Sequence, residues 1–112
     1  MSAADAKPVA ILYRWRLRPG AEARFAAAWT EATQALLGRG SLGSRLHRGD
    51  DGLWYAYAQW PSVAARAAAF AATPAATAGA AMRECVAEAL PEVALAPVAD
   101  FLQPLPATGL PG

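Results

Sequence analysis

The segment from Leu42 to Pro61 constrains the fold of this chain most strongly. It contains two strand-like runs on either side of Asp50-Asp51-Gly52 and ends in a tryptophan-proline step. A glycine in so short a loop tolerates the positive φ that tight hairpin turns need, so the two runs are expected to pair as antiparallel neighbours. The second run, from Leu53 to Trp60, ends at Pro61 because proline donates no backbone hydrogen bond to a sheet.

A strand is also predicted near the amino terminus, from Val9 to Leu17. The odd positions of this run carry Val, Ile, Tyr, Trp and Leu, whereas the even positions carry Ala, Leu and two Arg residues. Alternation with a period of two is typical of a strand. The sequence Arg18-Pro19-Gly20 then ends the strand in a turn.

Segments with helical spacing separate these strands. We predict one helix over about Ala21 to Leu37, with a buried stripe at the spacing of an amphipathic helix; the stripe comprises Phe25, Trp29, Ala32 or Thr33, and Leu36. A second helical region begins at the capping residue Ser62, breaks near Pro74 and continues to about Leu90. A weaker fourth strand is predicted over Val93 to Leu102.

The predicted elements follow the order β-α-β-β-α-β, which is the split βαβ plan of ferredoxin-like domains. The sequence therefore predicts an α+β fold in which a four-stranded antiparallel sheet carries its helices on one face, with strands 1 and 3 at the centre. The domain is expected to span residues 9–102. A disordered segment over 1–8 would precede it, and a proline- and glycine-rich arm over 103–112 would follow it.

Composition narrows the class of protein further. The chain has 112 residues, 55% of them hydrophobic, which is enough for one compact core. Its net charge of +1 gives no basis for a nucleic-acid partner, and no apolar run is long enough for a membrane span. The first residues contain no secretory signal, so we expect a cytoplasmic protein. The one cysteine, Cys85, is expected to be a small buried hydrophobe of the second helix.

Several short motifs resemble functional sites but stand in the wrong context. Gly38 to Gly43 matches G-x-G-x-x-G, yet it follows a helix and precedes a strand, the reverse of the dinucleotide-binding order. With one histidine, His47, and no Cys-x-x-Cys or His-Glu-x-x-His pattern, no metal site is predicted. Ser44 and His47 are three residues apart on one strand and so point to opposite faces, which argues against a triad with Asp100.

Large aromatic residues are predicted on both faces of the central strands. Trp54 and Trp60 share one face of the third strand, and Tyr55 and Tyr57 share the other. The helices cover one face, and the other would be an unusually large exposed apolar patch. A second copy of the chain is the simplest cover, so we expect a homodimer. Stacking of RNA bases on these rings is a weaker alternative, because the chain lacks the Lys/Arg-Gly-aromatic opening of such modules and any basic excess.

Two stretches of the sequence resemble a known family. VAILYRWRLRPGAEARFAAAW and GSRLHRGDDGLWYAYAQWPS are similar to the antibiotic biosynthesis monooxygenase family, whose members are dimeric α/β barrels of the ferredoxin-like type. The likeness spans Val9 to Leu102, with anchors at Pro19-Gly20, Phe25 and Trp60. The family includes cofactor-independent oxygenases of polycyclic phenols, haem-degrading enzymes and small-molecule isomerases. Membership implies a pocket between sheet and helices in each subunit.

The resemblance carries functional residues over only in part. The quinone-forming oxygenases have a tryptophan that matches Trp60, an asparagine four residues before it and a tyrosine six residues after it. This chain has Ala56 and Arg66 at the latter two positions. The haem-degrading members have an asparagine in the first strand and a tryptophan and an iron-binding histidine in the second helix. The matching regions here hold Tyr13, Arg66 and no histidine, which disfavours haem degradation.

The residues and the resemblance together lead to one hypothesis and one alternative. The chain is expected to bind a small apolar or aromatic molecule and, if it is an enzyme, to oxidise an electron-rich phenol to a quinone as a cofactor-independent monooxygenase. The alternative is a ligand-binding or structural dimer without turnover. The chemistry needs a dry pocket, a proton acceptor and donors for developing charge. The predicted catalytic residues are Trp60, Tyr13, Arg66 and His47, and the predicted pocket residues are Trp15, Trp29, Ala56 and Arg83.

Overall fold

The computed structural model describes residues 7–72 and 77–106 of the chain. Its elements are, in order, β1 (Val9–Leu17), α1 (Glu22–Leu37), β2 (Ser44–Arg48), β3 (Trp54–Trp60), α2 (Val63–Ala72), α3 (Thr77–Cys85), β4 (Val86–Ala89) and β5 (Val93–Leu95). The elements up to α2 lie where the sequence predicts them, whereas the predicted break near Pro74 lies outside the described residues. None of the helices in the described ranges has both the length and the apolar character needed to cross a bilayer.

The strands form one antiparallel sheet with β1 and β3 as its central pair. The strand order is β2-β3-β1-β4, and β5 pairs with β1 as well. In the central pair, Val9 lies opposite Trp60 and Tyr13 lies opposite Ala56. The hairpin between β2 and β3 turns at Gly52, whose φ of 85° is one that residues with a Cβ rarely adopt. The sheet and its helices confirm the predicted ferredoxin-like α+β fold.

The prediction for the carboxyl-terminal part of the domain was wrong in two respects. The last helix ends at Cys85 rather than near Leu90, and the predicted strand over Val93 to Leu102 is a strand only as far as Leu95, with β4 formed before it. The Arg18 N–H donates to the Cys85 carbonyl at 2.8 Å, and the Leu90 N–H donates to the Arg14 carbonyl at 3.0 Å. Pairing with the free edge of β1 therefore outweighs the helix propensity of this alanine-rich segment.

The hydrophobic core lies between the sheet and the helices. Its buried cluster comprises Val9, Ile11, Ala58, Trp60 and Ala69. Phe25 of α1 and Cys85 at the end of α3 are also fully buried, so the burial expected for the cysteine is confirmed. Trp29 is only half-buried, because it lies at a cavity instead of in the packed core.

The outer face of the sheet points away from this core. Leu12 lies opposite Tyr57 on β3 and opposite Val93 on β5, so these three side chains share the outer face with Leu95. Val93 and Leu95 are 38% and 42% exposed. The tyrosines of β3 thus lie on the face opposite its tryptophans, as the alternation predicts. Residues 96–106 form neither helix nor strand.

Candidate functional site

A cavity of about 600 Å³ lies between the sheet and the three helices of the described chain. It exists because small residues, including Ala56 and Ala58 on β3 and Gly79 on α3, stand where larger side chains would fill the space. The structure brings most of the predicted site residues to this one cavity; they are Tyr13, Trp15, Trp29, Ala56, Trp60 and Arg66.

Aromatic rings form much of the cavity wall. The rings of Tyr13 and Trp15, two residues apart on β1, stack with centroids 5.6 Å apart and planes within 3° of parallel. Trp60 lies against Phe70 of α2 with centroids 6.0 Å apart. Flat, apolar walls of this kind suit a planar aromatic ligand, which gains both burial and ring stacking.

The polar groups of the cavity centre on Arg66. Its Nη2 donates to the Tyr13 hydroxyl at 3.0 Å and lies 3.1 Å from Oε2 of Glu92, which follows β4. Burial raises the pKa of Tyr13, and the hydrogen bond and charge of Arg66 oppose that rise. Burial also acts to lower the pKa of Arg66, but Tyr13 and Glu92 more than offset it, so the guanidinium stays charged.

Two hydrogen-bond donors of the cavity residues are buried without a partner among residues 7–72 and 77–106. They are Nε1 of Trp60 and Nε of Arg66. A buried donor without an acceptor costs about 1–3 kcal/mol, so a ligand oxygen that accepts from these groups would recover that free energy. Both side chains contact Phe70. The ring centroids of Trp60 and Phe70 are 6.0 Å apart, and the Arg66 Cζ lies 5.1 Å from the Phe70 centroid. The two donors therefore belong to one region of the cavity.

His47 and Arg83 are the predicted site residues that do not line this cavity. His47 lies opposite Tyr55 on the outer face and stacks on Tyr57 with centroids 5.8 Å apart. Ser44, by contrast, lines the cavity. The serine and the histidine therefore point to opposite faces, as expected, and cannot form a catalytic pair. Arg83 lies in an adjoining cavity.

The family model of the antibiotic biosynthesis monooxygenases matches residues 8–82 of the chain. The match covers well over half of the sequence. This chain belongs to the antibiotic biosynthesis monooxygenase family. The resemblance inferred from residues around Pro19, Gly20 and Trp60 is thereby confirmed. No curated protein gives a significant match.

Solved structures similar to this family member share its fold. SnoaB of Streptomyces nogalater, a cofactor-independent oxygenase, superposes with a TM-score of 0.73 at 19% identity, over 88% of this chain and 100% of SnoaB. Rv0793 of Mycobacterium tuberculosis gives a TM-score of 0.70 at 20% identity, over 85% of this chain and 99% of Rv0793. At such identities the likeness establishes the fold and leaves the chemistry to the residues of the cavity.

Glu92 and Phe70 are among the residues of this family member's cavity that the sequence did not indicate as site residues. Glu92 reaches the cavity from the segment between β4 and β5, which the sequence indicated only as the link between the second helix and the fourth strand. Phe70 was placed on the second helix, but nothing in its spacing showed that its ring would lie against both Trp60 and Arg66. Within residues 7–72 and 77–106, no group of three or more His, Cys, Asp or Glu could hold a metal ion.

Proposed function

We propose that this domain binds a small aromatic molecule with an acidic hydroxyl group and oxidises it, as an electron-rich phenol, to a quinone without a cofactor. The observation that carries the proposal is the pair of buried donors, Trp60 Nε1 and Arg66 Nε, which have no partner in the described part of the chain and belong to a cavity lined mainly by aromatic and small apolar residues. Donors of this kind favour a phenolate oxygen over a neutral hydroxyl, because the guanidinium charge stabilises the anion.

In the proposed reaction the cavity prepares the phenol for attack by dioxygen. The phenol proton leaves to the Glu92 carboxylate or to water at the cavity mouth, and Arg66 and Trp60 stabilise the resulting phenolate. The electron-rich ring then reduces dioxygen. One oxygen atom enters the ring carbon that loses its hydrogen, and the other leaves as water, so one dioxygen is consumed for each quinone. The aromatic walls orient the ring and exclude bulk water.

A second candidate function keeps the ligand and omits the turnover. Ala56 and Arg66 stand where the quinone-forming relatives are expected to have an asparagine and a tyrosine, and this departure favours a binding protein. Both candidates share the same cavity and the same ligand class. They differ in whether dioxygen is consumed.

We further propose that the domain works as a homodimer joined through the outer face of the sheet. Leu12, Tyr57, Val93 and Leu95 provide a contiguous apolar surface there, which a second copy would cover. The cytoplasm is the compartment that we propose, since Cys85 is a free, buried thiol.

Oxygen uptake with a panel of naphthols and anthrones tests the proposed function. The assay contains a chelator and no flavin, and ligand binding is followed by quenching of tryptophan fluorescence. Trp60→Phe removes one donor and keeps an aromatic ring, so we expect kcat to fall by about 100-fold while the phenol Kd changes much less. Trp54→Phe is the matched control, because Trp54 packs on Phe25 and Arg48 outside the cavity.

The outcomes separate the two candidate functions. Phenols that quench fluorescence while oxygen uptake stays at the background rate would replace the enzyme with the binding protein. Equal loss of turnover in Trp60→Phe and Trp54→Phe would mean that the indole N–H of Trp60 has no special role. If no phenol binds at all, both candidates are wrong.

A further inference from the structure

The segment after β5 exposes its large apolar side chains to water. We name residues 96–106 the apolar tail; they lie outside residues 8–82, which the family model matches. The Asp100 carboxylate accepts a hydrogen bond from the Leu102 N–H at 3.0 Å, so the tail has a local turn of its own. The large apolar side chains of the tail are between 58% and 97% exposed; they are Val98, Phe101, Leu102 and Leu105. Apolar groups exposed together in this way indicate a contact with another molecule.

A second set of exposed apolar side chains lies at the β2 edge of the sheet. Leu37 ends α1, Leu42 precedes β2, and each is at least half exposed. The turn between them is tight, because the N–H groups of Arg39 and Ser41 both donate to the Leu36 carbonyl, at 2.9 Å and 3.1 Å. We name residues 37–42 the docking turn. Its two leucines form a small apolar surface with a guanidinium beside it.

The apolar tail and the docking turn carry opposite charges. Asp100 is the one charged residue of the tail, and Arg39 is the one charged residue of the docking turn. Both are exposed, and neither has an ion-pair partner among residues 7–72 and 77–106. An apolar segment with one carboxylate is therefore complementary to an apolar turn with one guanidinium.

The tail and the docking turn also lie at the same end of the sheet. Leu95, the last residue of β5, lies opposite Ala10 of β1, and Ala10 lies opposite Gln59 of β3. The Gln59 carbonyl in turn accepts from the Leu42 N–H at 2.9 Å. Leu95 and Leu42 are thus level with each other along the strands. They stand at opposite edges of the sheet, three strand spacings or about 14 Å apart.

We propose that the apolar tail of one copy of the chain docks on the docking turn of a second copy, with Asp100 beside the partner's Arg39. The rings and methyl groups of the tail, led by Phe101, cover the partner's Leu37 and Leu42. The proposal rests on the homodimer proposed above and adds a second contact to it. It assigns to residues 96–106 the part of the interface that lies beyond the sheet.

The geometry of such a dimer brings the two surfaces together. When two outer faces pack about a two-fold axis parallel to the strands, β5 of one copy lies opposite β2 of the other, at the same end of the sheet. Packed sheets are about 10 Å apart. The six residues from Ala96 to Phe101 reach about 20 Å when extended. The tail that leaves the sheet at Leu95 is therefore long enough to meet the partner's docking turn.

Substitutions in the tail test the apolar part of this contact. The dissociation constant of the dimer is measured by sedimentation for wild type, Phe101→Ser and the control Ala99→Ser, which places the same residue in the same segment. We expect Phe101→Ser to raise the dissociation constant about 100-fold or more, because each dimer loses two buried rings. Ala99→Ser should stay close to wild type. Phe101 is 90% exposed within its own chain, so its replacement should leave the circular dichroism spectrum unchanged.

A charge swap tests the pairing of Asp100 with Arg39. Asp100→Arg and Arg39→Asp each place like charges together, and two such contacts occur in a symmetric dimer, so each variant should raise the dissociation constant about 5-fold. The double variant restores an attractive pair with its sign reversed. Its dissociation constant should therefore return close to that of wild type.

Cross-linking shows whether the contact joins two chains. Asp100→Cys and Arg39→Cys chains, one of them with a tag that changes its mass, are mixed and treated with a short bismaleimide. The native thiol of Cys85 is buried and does not compete. We expect a product that contains one chain of each kind. Ala23→Cys replaces Arg39→Cys in the control and should give none, because it is exposed at the far end of α1, about 20 Å from Leu37.

The outcomes separate the tail contact from the dimer itself. If wild type is a dimer whose dissociation constant is the same in Phe101→Ser, or if the double charge variant is no better than the single ones, the tail contact is wrong and the outer-face dimer stands. If Asp100→Cys and Arg39→Cys are linked only when both are in one chain, the tail covers its own chain, which also overturns the inference. If wild type is a monomer, the proposed dimer and the tail contact both fail.

Discussion

Arg66 of α2 donates a hydrogen bond from Nη2 to the hydroxyl of Tyr13 on β1 across 3.0 Å, and so joins a helix to the central strand within the cavity. The same nitrogen pairs with Glu92 at 3.1 Å. β1, α2 and the segment after β4 thus meet at the guanidinium of Arg66. The charge of the cavity and the protonation of Tyr13 depend on this meeting point.

The first prediction concerns the titration of Tyr13. Burial raises its pKa, Arg66 lowers it, and the negative charge of Glu92 raises it. We therefore expect Arg66→Gln to raise the Tyr13 pKa further and Glu92→Gln to lower it. Ultraviolet absorbance of tyrosinate measures the shift, and the titration of Tyr13→Phe is subtracted to isolate this residue from the other two tyrosines. Shifts of the opposite sign would show that the three groups do not interact as described.

The same titration affects stability at alkaline pH. The unfolded chain ionises its tyrosines near pH 10, while folded Tyr13 still holds its proton because its pKa is raised. The free energy of unfolding should therefore fall as pH rises above about 10 and should stop falling once the folded pKa is passed. Tyr13→Phe should reduce this slope in alkaline denaturant titrations. Tyr55→Phe is measured beside it as the comparison variant. The pKa of Tyr55 is also raised, in this case by its hydrogen bond to Asp51 on the outer face of the sheet.

The second prediction concerns assembly through the outer face. Light scattering at micromolar concentration should give the mass of a dimer. Leu12→Asp should dissociate it, because Leu12 is at the centre of that face and burying an unpaired charge there costs several kcal/mol. Ala68→Asp, on the exposed side of α2, is the control and should remain dimeric. A monomeric mass for wild type with a well-folded circular dichroism spectrum would contradict the proposed dimer.

The third prediction separates haem from other ligands. The single histidine, His47, is exposed on the outer face of the sheet and away from the cavity, so the cavity has no histidine to bind haem iron. Adding haem should give a weak spectral change without a defined stoichiometry, and His47→Ala should behave as wild type does. A tight 1:1 shift of the Soret band that disappears in His47→Ala would prove this prediction wrong.

The sequence by itself determined the order and pairing of the elements up to α2. Alternation in β1 and β3, the glycine turn at Gly52 and the capping serine Ser62 are local signals. The structure shows each of them as predicted, including the hydrogen bond from the Ala65 N–H to the Ser62 hydroxyl at 3.0 Å. The same alternation put Trp54 and Trp60 on one face of β3, because side chains of a strand alternate by geometry alone, whereas the structure showed that this face meets the helices.

Only the tertiary structure decided how the segment after Cys85 folds and which polar groups of the cavity contact each other. The segment after Cys85 has helical composition, yet it pairs with β1 because the free edge of that strand offers hydrogen bonds. A local sequence pattern does not show that this edge is available. That pairing also carries Glu92 to Arg66, which is 26 residues away in sequence. The cavity and its charges are contacts between distant residues, so they depend on packing that the period of a sequence does not encode.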